Sequence, residues 1–217
     1  AHPLVTPVAL TPAHRDLIAL PPDSAVIGSP APPLDPVDPD SRDPGKLLLL
    51  ARSSPIKGHR LAISATLRMR AEGRQVNLHL SLEPNHPWVR DSDPEDGIHA
   101  HGWMTDEEKT ELLRGAGLLL IPSEFEGMPV VAMEALSCGL PVLASPACEG
   151  ILGGGGSIVP QLDERVWADA ITAILDDEQG WRQMCIAAPA AVADQTPEVI
   201  GARWANLYQQ VMSGVAT

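Results

Sequence analysis

The sequence predicts an α/β fold in which helices cover both faces of an open, doubly wound parallel sheet. From residue 46 onwards, short apolar segments alternate with amphipathic segments of helical length. The apolar segments, such as LLLLA at 47–51 and GLLLI at 117–121, are uninterrupted runs typical of strands buried on both faces. They are too short to cross a bilayer, so we expect no transmembrane helix. The expected fold is Rossmann-like.

The first 45 residues are predicted to be a proline-rich connector with little core of its own. Thr11 followed by Pro12 is typical of an N-cap and first helical position, so a short helix is expected there. The segment SAVIG at 24–28 predicts a short strand. We interpret residues 1–45 as the remnant of an interdomain region.

Residues 46–195 are predicted to form the sheet and its helices. The predicted strands lie at 46–51, 75–81, 97–102, 117–121, 141–145 and 157–160, and the predicted helices at about 59–72, 106–115, 129–138 and 164–177. The helix at 106 has the clearest start, because Thr105 and Glu108 form a capping-box pattern.

A C-terminal helix is predicted within residues 196–217. Thr196 followed by Pro197 marks its start. An apolar stripe at helical spacing, which we expect to pack against the domain, is formed by Trp204, Leu207 and Val211.

Composition narrows the classes of ligand. A net charge of −13 argues against nucleic acid or an anionic membrane as the main partner. Seven of the 15 basic residues nevertheless fall between residues 46 and 74, which suits a small anionic ligand. The alternative is a solvated helix face for Arg60, Arg68, Arg70 and Arg74. Three cysteines without CxxC spacing predict neither a disulfide framework nor a zinc site, and favour the cytoplasm.

The loop PSEFEGM at 122–128 is a candidate anion site. Ligands of open α/β sheets bind beyond the carboxyl ends of the strands, where this loop lies between a strand and a helix opening at Pro129. Unpaired amides and the helix dipole favour an anion there, and Gly127 lets it approach the backbone. Arg52 and Lys57, in the loop after the first core strand, are the candidate cations.

Two carboxylates, Glu126 and Glu134, flank the start of this helix. Glu134 stands in an almost wholly apolar run, so it should be buried, and a buried carboxylate needs hydrogen-bond donors. Ligand hydroxyls would supply them, and so would a neighbouring amide or Arg. The residues alone leave both alternatives open.

The chain resembles the C-terminal, donor-binding half of retaining nucleotide-sugar glycosyltransferases of the GT-B fold, family 4 or group 1 type, with an E-x7-E signature. The resemblance covers residues 46 to 213. Its segments, in order, are ARSSPIKG at 51–58, HGWMTDEE at 101–108, PSEFEGMPVVAMEALSCGLPVLAS at 122–145, GGGGSIVP at 153–160 and LYQQVM at 207–212.

The resemblance implies a role for each candidate residue. Arg52 and Lys57 would bind the donor diphosphate, and Glu126 would lie against the donor sugar; these three form the catalytic set. Glu134 would bind the ribose hydroxyls. The phosphates would also meet the backbone amides of Gly127 and Met128, and the base pocket would include Gly102 and Trp103. Trp103 could equally belong to the core.

Several features depart from the family pattern. Pro129 stands where many relatives have glycine, which removes one amide. The loop SPACEGILGGGG at 145–156 is short, so the correspondence of Glu149 stays open. Its glycines precede a strand and not a helix, which argues against a dinucleotide fingerprint. No DxD-type metal motif is present, and neither a metal nor another cofactor is expected.

The expected function is transfer of a sugar from a nucleotide diphosphate sugar to an acceptor hydroxyl. Family enzymes bind the acceptor on an N-terminal α/β domain, which is lacking here, so this chain alone should bind donor but transfer poorly. That domain, or a complementing polypeptide, is the expected partner; the acceptor is unknown. The alternative is a stand-alone nucleotide-sugar binding module. We expect a cytoplasmic location, with peripheral attachment to the inner face of the membrane left open.

Overall fold

The computed structural model describes residues 6–32, 34–89 and 94–213. Its main sheet has six parallel strands in the order β5-β4-β3-β6-β7-β8. The strands of this sheet are β3 (Asp43–Leu49), β4 (Asn77–Leu80), β5 (Ile98–Ala100), β6 (Ala116–Ile121), β7 (Val142–Ala144) and β8 (Gly156–Ile158). A separate two-stranded parallel sheet joins β1 (Val8–Ala9) to β2 (Ala25–Val26).

Helices cover both faces of the main sheet. The helices are α1 (Pro12–Leu17), α2 (His59–Ala71), α3 (Asp106–Gly115), α4 (Val130–Ser137), α5 (Glu164–Asp176), α6 (Glu178–Ala187) and α7 (Pro197–Met212). Leu47 and Leu49 of β3 point into a core shared with α2 and α5, whereas Leu48 points into a core shared with α3 and α4. This alternation explains the continuous leucine run, and it confirms the predicted doubly wound sheet.

The strand order reverses between β3 and β6. From β3 the chain builds outward to β4 and β5, then returns to pair β6 with the other side of β3. Open α/β sheets bind ligands at the carboxyl ends of the strands beside such a reversal. Here the loops at that position are 50–58 and 122–129.

Several elements differ from the sequence predictions. The capping box makes α3 match its predicted bounds, whereas β3 begins three residues earlier than predicted. Neither β1 nor α6 was predicted. The apolar stripe on α7 is not a packed seam, because Val211 is exposed and Trp204 and Leu207 are only half-buried. The division of the chain into a connector, a central domain and a C-terminal helix, at residues 45 and 195, stays a prediction. The ends of the chain, residues 1–5 and 214–217, lie outside the described residues.

No helix in the described part of the chain combines the length and the apolar character that crossing a membrane requires.

Arg42 is a buried cation immediately before β3. Its guanidinium donates to the carbonyl oxygens of Leu113 at 2.8 Å and Ala116 at 3.1 Å, and to that of Cys138. These carbonyls belong to the C-terminal ends of α3 and α4, where helices leave acceptors without an internal partner. A cation there also meets the negative end of each helix dipole. Arg42 therefore fastens two helix ends to the central strand.

His59, the first residue of α2, is fully buried. Removal from water disfavours the imidazolium, and the nearby charges of His86 and Lys57 add to this, so the pKa of His59 falls to about 4. His79 on β4 behaves similarly: burial, with Lys46 nearby, lowers its pKa to about 3. Both rings are therefore neutral near pH 7.

Replacing Arg42 with Met should lower the free energy of unfolding by about 2–4 kcal/mol, because several buried carbonyls lose their donor at once. Urea denaturation of R42M against the parent measures the change. Arg182→Met is the control, since the ion pairs of Arg182 within the described residues, with Asp40 and Glu178, are exposed, and its loss should change stability much less. Equal stability of R42M and the parent would contradict this account.

Stability should fall as the pH drops from about 6.5 towards 4. Between these pH values His59 is protonated in the unfolded chain but not in the folded one. Its contribution to the free energy of unfolding is therefore complete above pH 6.5 and is lost on acidification, by up to about 1.4 kcal/mol per pH unit. Urea titrations at several pH values measure the slope. His59→Met should reduce the slope and leave the part that comes from His79, and an unchanged slope in that variant would exclude His59 as a cause.

Candidate functional site

The two loops at the strand reversal are packed against each other. Gly58 adopts a left-handed backbone with φ of 71°, and a Cβ placed on it would lie 2.2 Å from the carbonyl oxygen of Pro122. The amide of Glu124 donates to the carbonyl of Ile56 at 2.8 Å. Only glycine tolerates both the conformation and the close approach, so the sequence KG at 57–58 brings Lys57 to the facing loop.

Lys57 contacts Glu126 directly. Its Nζ lies 2.7 Å from Glu126 Oε1, and the two side chains are only 14% and 10% exposed. Cys148 lies beside this pair, and burial together with the charge of Glu126 raises its pKa to about 12, so the thiol stays protonated. The site thus holds a largely buried ion pair, in which the charge of Lys57 is already balanced by a carboxylate.

Glu134, on the inner side of α4, pairs with a different lysine. Lys109 Nζ of α3 lies 2.7 Å from Glu134 Oε1 and 3.4 Å from Asp106 Oδ1. Partial burial disfavours the charged ammonium, but the hydrogen bonds and charges of Glu134 and Asp106 together outweigh it, so the pKa of Lys109 is raised. The sequence left open what satisfies this carboxylate. The structure supplies a neighbour, Lys109, for one of its two oxygens.

The N-terminus of α4 lies between the two carboxylates. Pro129 is the N-cap, and no side chain caps the first amides of the helix. Helix starts of this kind favour anions. The structure therefore has the uncapped helix end that the sequence predicted, with the helix beginning one residue later than expected.

The connector at the start of the chain covers one side of the loop that carries Gly127 and Met128. A Cβ on Gly127 would lie 3.1 Å from Leu10 Cδ1 and 3.8 Å from a ring carbon of His14. The Sδ of Met128 lies 3.1 Å from the amide of Ser29. The sequence did not predict this contact. An anion approaching Gly127 must therefore come from the side away from Leu10.

Arg52 differs from the lysines of the site. It follows β3 at the carboxyl end of the sheet, its side chain is exposed, and it has no hydrogen bond or ion pair with any residue in the described ranges. Its fork of donors is thus available to an anion at the strand reversal.

Gly102 and Trp103 lie on the loop between β5 and α3. Gly102 has a φ of 72°, and a Cβ on it would lie 2.9 Å from Glu83 Oε2. Trp103 is 94% exposed, which excludes the alternative that it belongs to the core. An exposed indole at the carboxyl edge of the sheet is able to stack on a planar ring.

Two residues of the neighbouring loops were not predicted. His86 Nε2 and Ser53 Oγ are 2.9 Å apart, and His86 Nδ1 accepts a hydrogen bond from the amide of Trp88. This assigns the proton to Nε2, which therefore donates to Ser53. Ser53 is the neighbour of Arg52, so the pair adds polar groups beside the candidate anion site.

The structure brings the predicted residues together as two groups. Lys57 and Glu126 are in contact, with Arg52 in the same loop as Lys57, whereas Glu134 belongs to a second group with Lys109. Lys109 was missed because it lies 25 residues from Glu134 in the chain. A lysine three positions after Asp106 at a helix start is a common surface pattern and gives no signal of this contact.

Comparisons with known proteins identify the family of the chain. Residues 44–177 match the family model described as "Glycosyl transferases group 1". The "MMP alpha-(1->4)-mannosyltransferase" of Mycolicibacterium hassiacum is 34% identical over 131 residues, covering 56% of this chain and 31% of that protein. The "D-inositol 3-phosphate glycosyltransferase" of Corynebacterium diphtheriae is 31% identical over 106 residues, covering 47% and 25%. The matched segments are thus about a quarter to a third of these relatives.

A solved structure extends the likeness in fold. The sucrose-phosphate synthase from Thermosynechococcus elongatus superposes with a TM-score of 0.75 at 22% identity, covering 95% of this chain and 58% of that one. At this level of identity the superposition shows a shared fold. The family model, however, matches more than half of the sequence. The chain therefore belongs to the group 1 family of glycosyltransferases and contains a Rossmann-like domain of their GT-B fold.

Proposed function

We propose that this chain is the donor-binding half of a retaining glycosyltransferase, which moves a sugar from a nucleotide diphosphate sugar to an acceptor hydroxyl. One observation carries the proposal. The exposed Arg52, the Lys57–Glu126 pair and the uncapped start of α4 meet where the strand order reverses. This arrangement suits an anionic ligand that also carries hydroxyl groups.

The diphosphate is assigned to Arg52, Lys57 and the amides at the start of α4. Arg52 has no competing carboxylate within the described residues, so its charge is available in full. Lys57 keeps two N–H donors besides the one directed to Glu126, and Glu126 holds its ammonium in place. Gly127 and Met128 contribute backbone amides from the side not covered by the connector.

The two carboxylates are assigned to hydroxyl groups. Glu126 lies in the loop beside the phosphates, which suits contact with the donor sugar. Glu134 lies deeper, on α4, and its second oxygen is assigned to the ribose. The exposed Trp103, next to Gly102, supplies a surface on which the base can stack.

The chemistry follows from these assignments. As the bond between the anomeric carbon and the diphosphate oxygen breaks, negative charge grows on the leaving group. Arg52, Lys57 and the dipole of α4 stabilise that charge from fixed positions. The acceptor oxygen then bonds to the anomeric carbon on the face that the diphosphate leaves, which is retention, and the proton of the acceptor hydroxyl passes to the departing diphosphate oxygen. We propose that these steps proceed without a metal ion, because the positive charge is supplied by Arg52, Lys57 and the start of α4.

Efficient transfer needs a second surface that positions the acceptor and excludes water. We propose that an acceptor-binding α/β domain, in the same polypeptide or in a partner, provides it, and that this chain alone binds donor and transfers poorly. A cytoplasmic location is proposed from the cysteine pattern.

The second candidate is a stand-alone nucleotide-sugar binding module. It would need the same donor contacts but no acceptor surface. Transfer assays with the polypeptide that supplies the acceptor domain separate the two candidates, since a pure binding module would show no turnover with any such partner.

The phosphate assignment is tested by calorimetric titration with UDP-, GDP- and ADP-sugars. The parent should bind at least one of them, and Arg52→Ala/Lys57→Ala should weaken that binding at least about tenfold, because two charge-assisted contacts are lost.

Arg68→Ala is the matched control, because Arg68 lies near the other end of α2 and its ion pair among the described residues is with Glu72 at the surface. It should leave affinity unchanged. Absence of binding to all three donors, or equal binding by the double variant, would refute the phosphate assignment.

Glu134→Gln tests the ribose assignment. The amide keeps the shape of the side chain but is a weaker acceptor, so nucleotide affinity should fall by about three- to tenfold. The melting temperature without ligand should change little, since Lys109 keeps Asp106 as a partner. The opposite result, a large loss of stability with normal affinity, would make Glu134 a structural residue.

A further inference from the structure

The ion pair between Lys109 and Glu134 joins two elements that the proposed function treats separately. Glu134 is 7% exposed, so most of the side chain is removed from water and its carboxylate needs donors close by. Within the described residues only its Oε1 receives a hydrogen bond, and the donor is Lys109. The other oxygen, Oε2, is left for a further donor.

Lys109 is itself held in place by α3. The capping box of Thr105 and Glu108 fixes the first turn of that helix, and Leu113 anchors the helix in the core. Asp106, one turn earlier, lies 3.4 Å from the same ammonium. The ammonium is thus shared by two carboxylates, of which Glu134 is the nearer and the more buried.

The position of α3 makes this contact relevant to a nucleotide. The helix begins directly after the loop that carries Gly102 and Trp103, the proposed base surface. Lys109 lies about one turn inside that helix and reaches α4. It therefore links the loop proposed for the base to the carboxylate proposed for the ribose.

We infer that Lys109 is a positioning residue for ribose recognition: it holds the Glu134 carboxylate in the orientation in which its second oxygen meets the ribose hydroxyls. The inference rests on the proposed function. Lys109 touches neither the ligand nor the reacting atoms; it acts through Glu134.

The physical reason is the cost of an unpaired buried charge. Without Lys109 the carboxylate would lose its partner and turn towards water, and it would then no longer present its second oxygen to the ribose hydroxyls. Lys57 is not a substitute, because its ammonium is directed to Glu126. Phosphate binding, which is assigned to Arg52 and Lys57, should not depend on Lys109.

The test compares ribose with dideoxyribose. Calorimetry gives the Kd of UDP, GDP and ADP for the parent, and then the Kd of the 2′,3′-dideoxy form of the tightest binder. The parent should bind the ribose form at least about tenfold more tightly, as expected for hydroxyl hydrogen bonds to a charged acceptor. Lys109→Met should reduce the ratio of the two Kd values, dideoxy form to ribose form, to below about threefold. The Kd of the dideoxy form itself should change little.

Three further variants separate positioning from general damage. Lys109→Arg keeps the cation and should restore most of the ratio. Lys46→Met removes a half-buried lysine of β3 that does not contact Glu134, so it should keep the full ratio. The double variant Lys109→Met/Glu134→Gln removes both charges of the ion pair, so no buried carboxylate is left without its partner and the fold should be kept. Its ratio should equal that of Glu134→Gln alone, because the lysine acts only through the carboxylate.

The outcomes are distinguishable. If the parent binds no nucleotide, the proposed function fails and this inference fails with it. If the parent binds but shows no preference for ribose, or if Lys109→Met keeps the preference, only the role of Lys109 is overturned. If Lys109→Met lowers both affinities equally, the residue is structural and the inference is wrong.

Discussion

The contact between Gly58 and the carbonyl of Pro122 is the constraint on which the site depends. It brings the loop after β3 against the loop after β6 with no room for a side chain between them. The reversed strand order makes these loops neighbours, but this contact sets their separation. Lys57 and Glu126, on opposite loops, come within hydrogen-bond distance as a result. A larger residue at position 58 would push the loops apart and separate the pair.

Charge balance is the second organising feature. An acidic chain places two carboxylates in largely buried positions and gives each a lysine from another element, Lys57 for Glu126 and Lys109 for Glu134. Each pair supplies a hydrogen-bond donor to its carboxylate within the chain itself. Arg52, whose side chain has no partner in the described part of the chain, then supplies uncompensated positive charge. The site separates residues suited to hydroxyl groups from the residue best suited to a phosphate.

Much of the fold was predictable because its signals are local. The capping box gave the bounds of α3, and the leucine run of β3 indicated a strand covered on both faces. The features of the fold that were missed or wrongly predicted also have local causes. The β1 strand is two residues long and pairs only with β2, so no periodicity reveals it. The α7 stripe has helical spacing, but spacing alone does not decide whether another surface lies against it.

The sequence by itself determined the fold class, the family and the residue types of the site, because hydrophobic runs, caps and the spacing of Arg52, Lys57, Glu126 and Glu134 are properties of the chain. Only the tertiary structure decided their partners. Ion pairing depends on distances between elements far apart in sequence, and those distances follow from the packing of α3, α4 and the two loops. The pairing of Lys109 with Glu134, across 25 residues of chain, is a product of that packing alone.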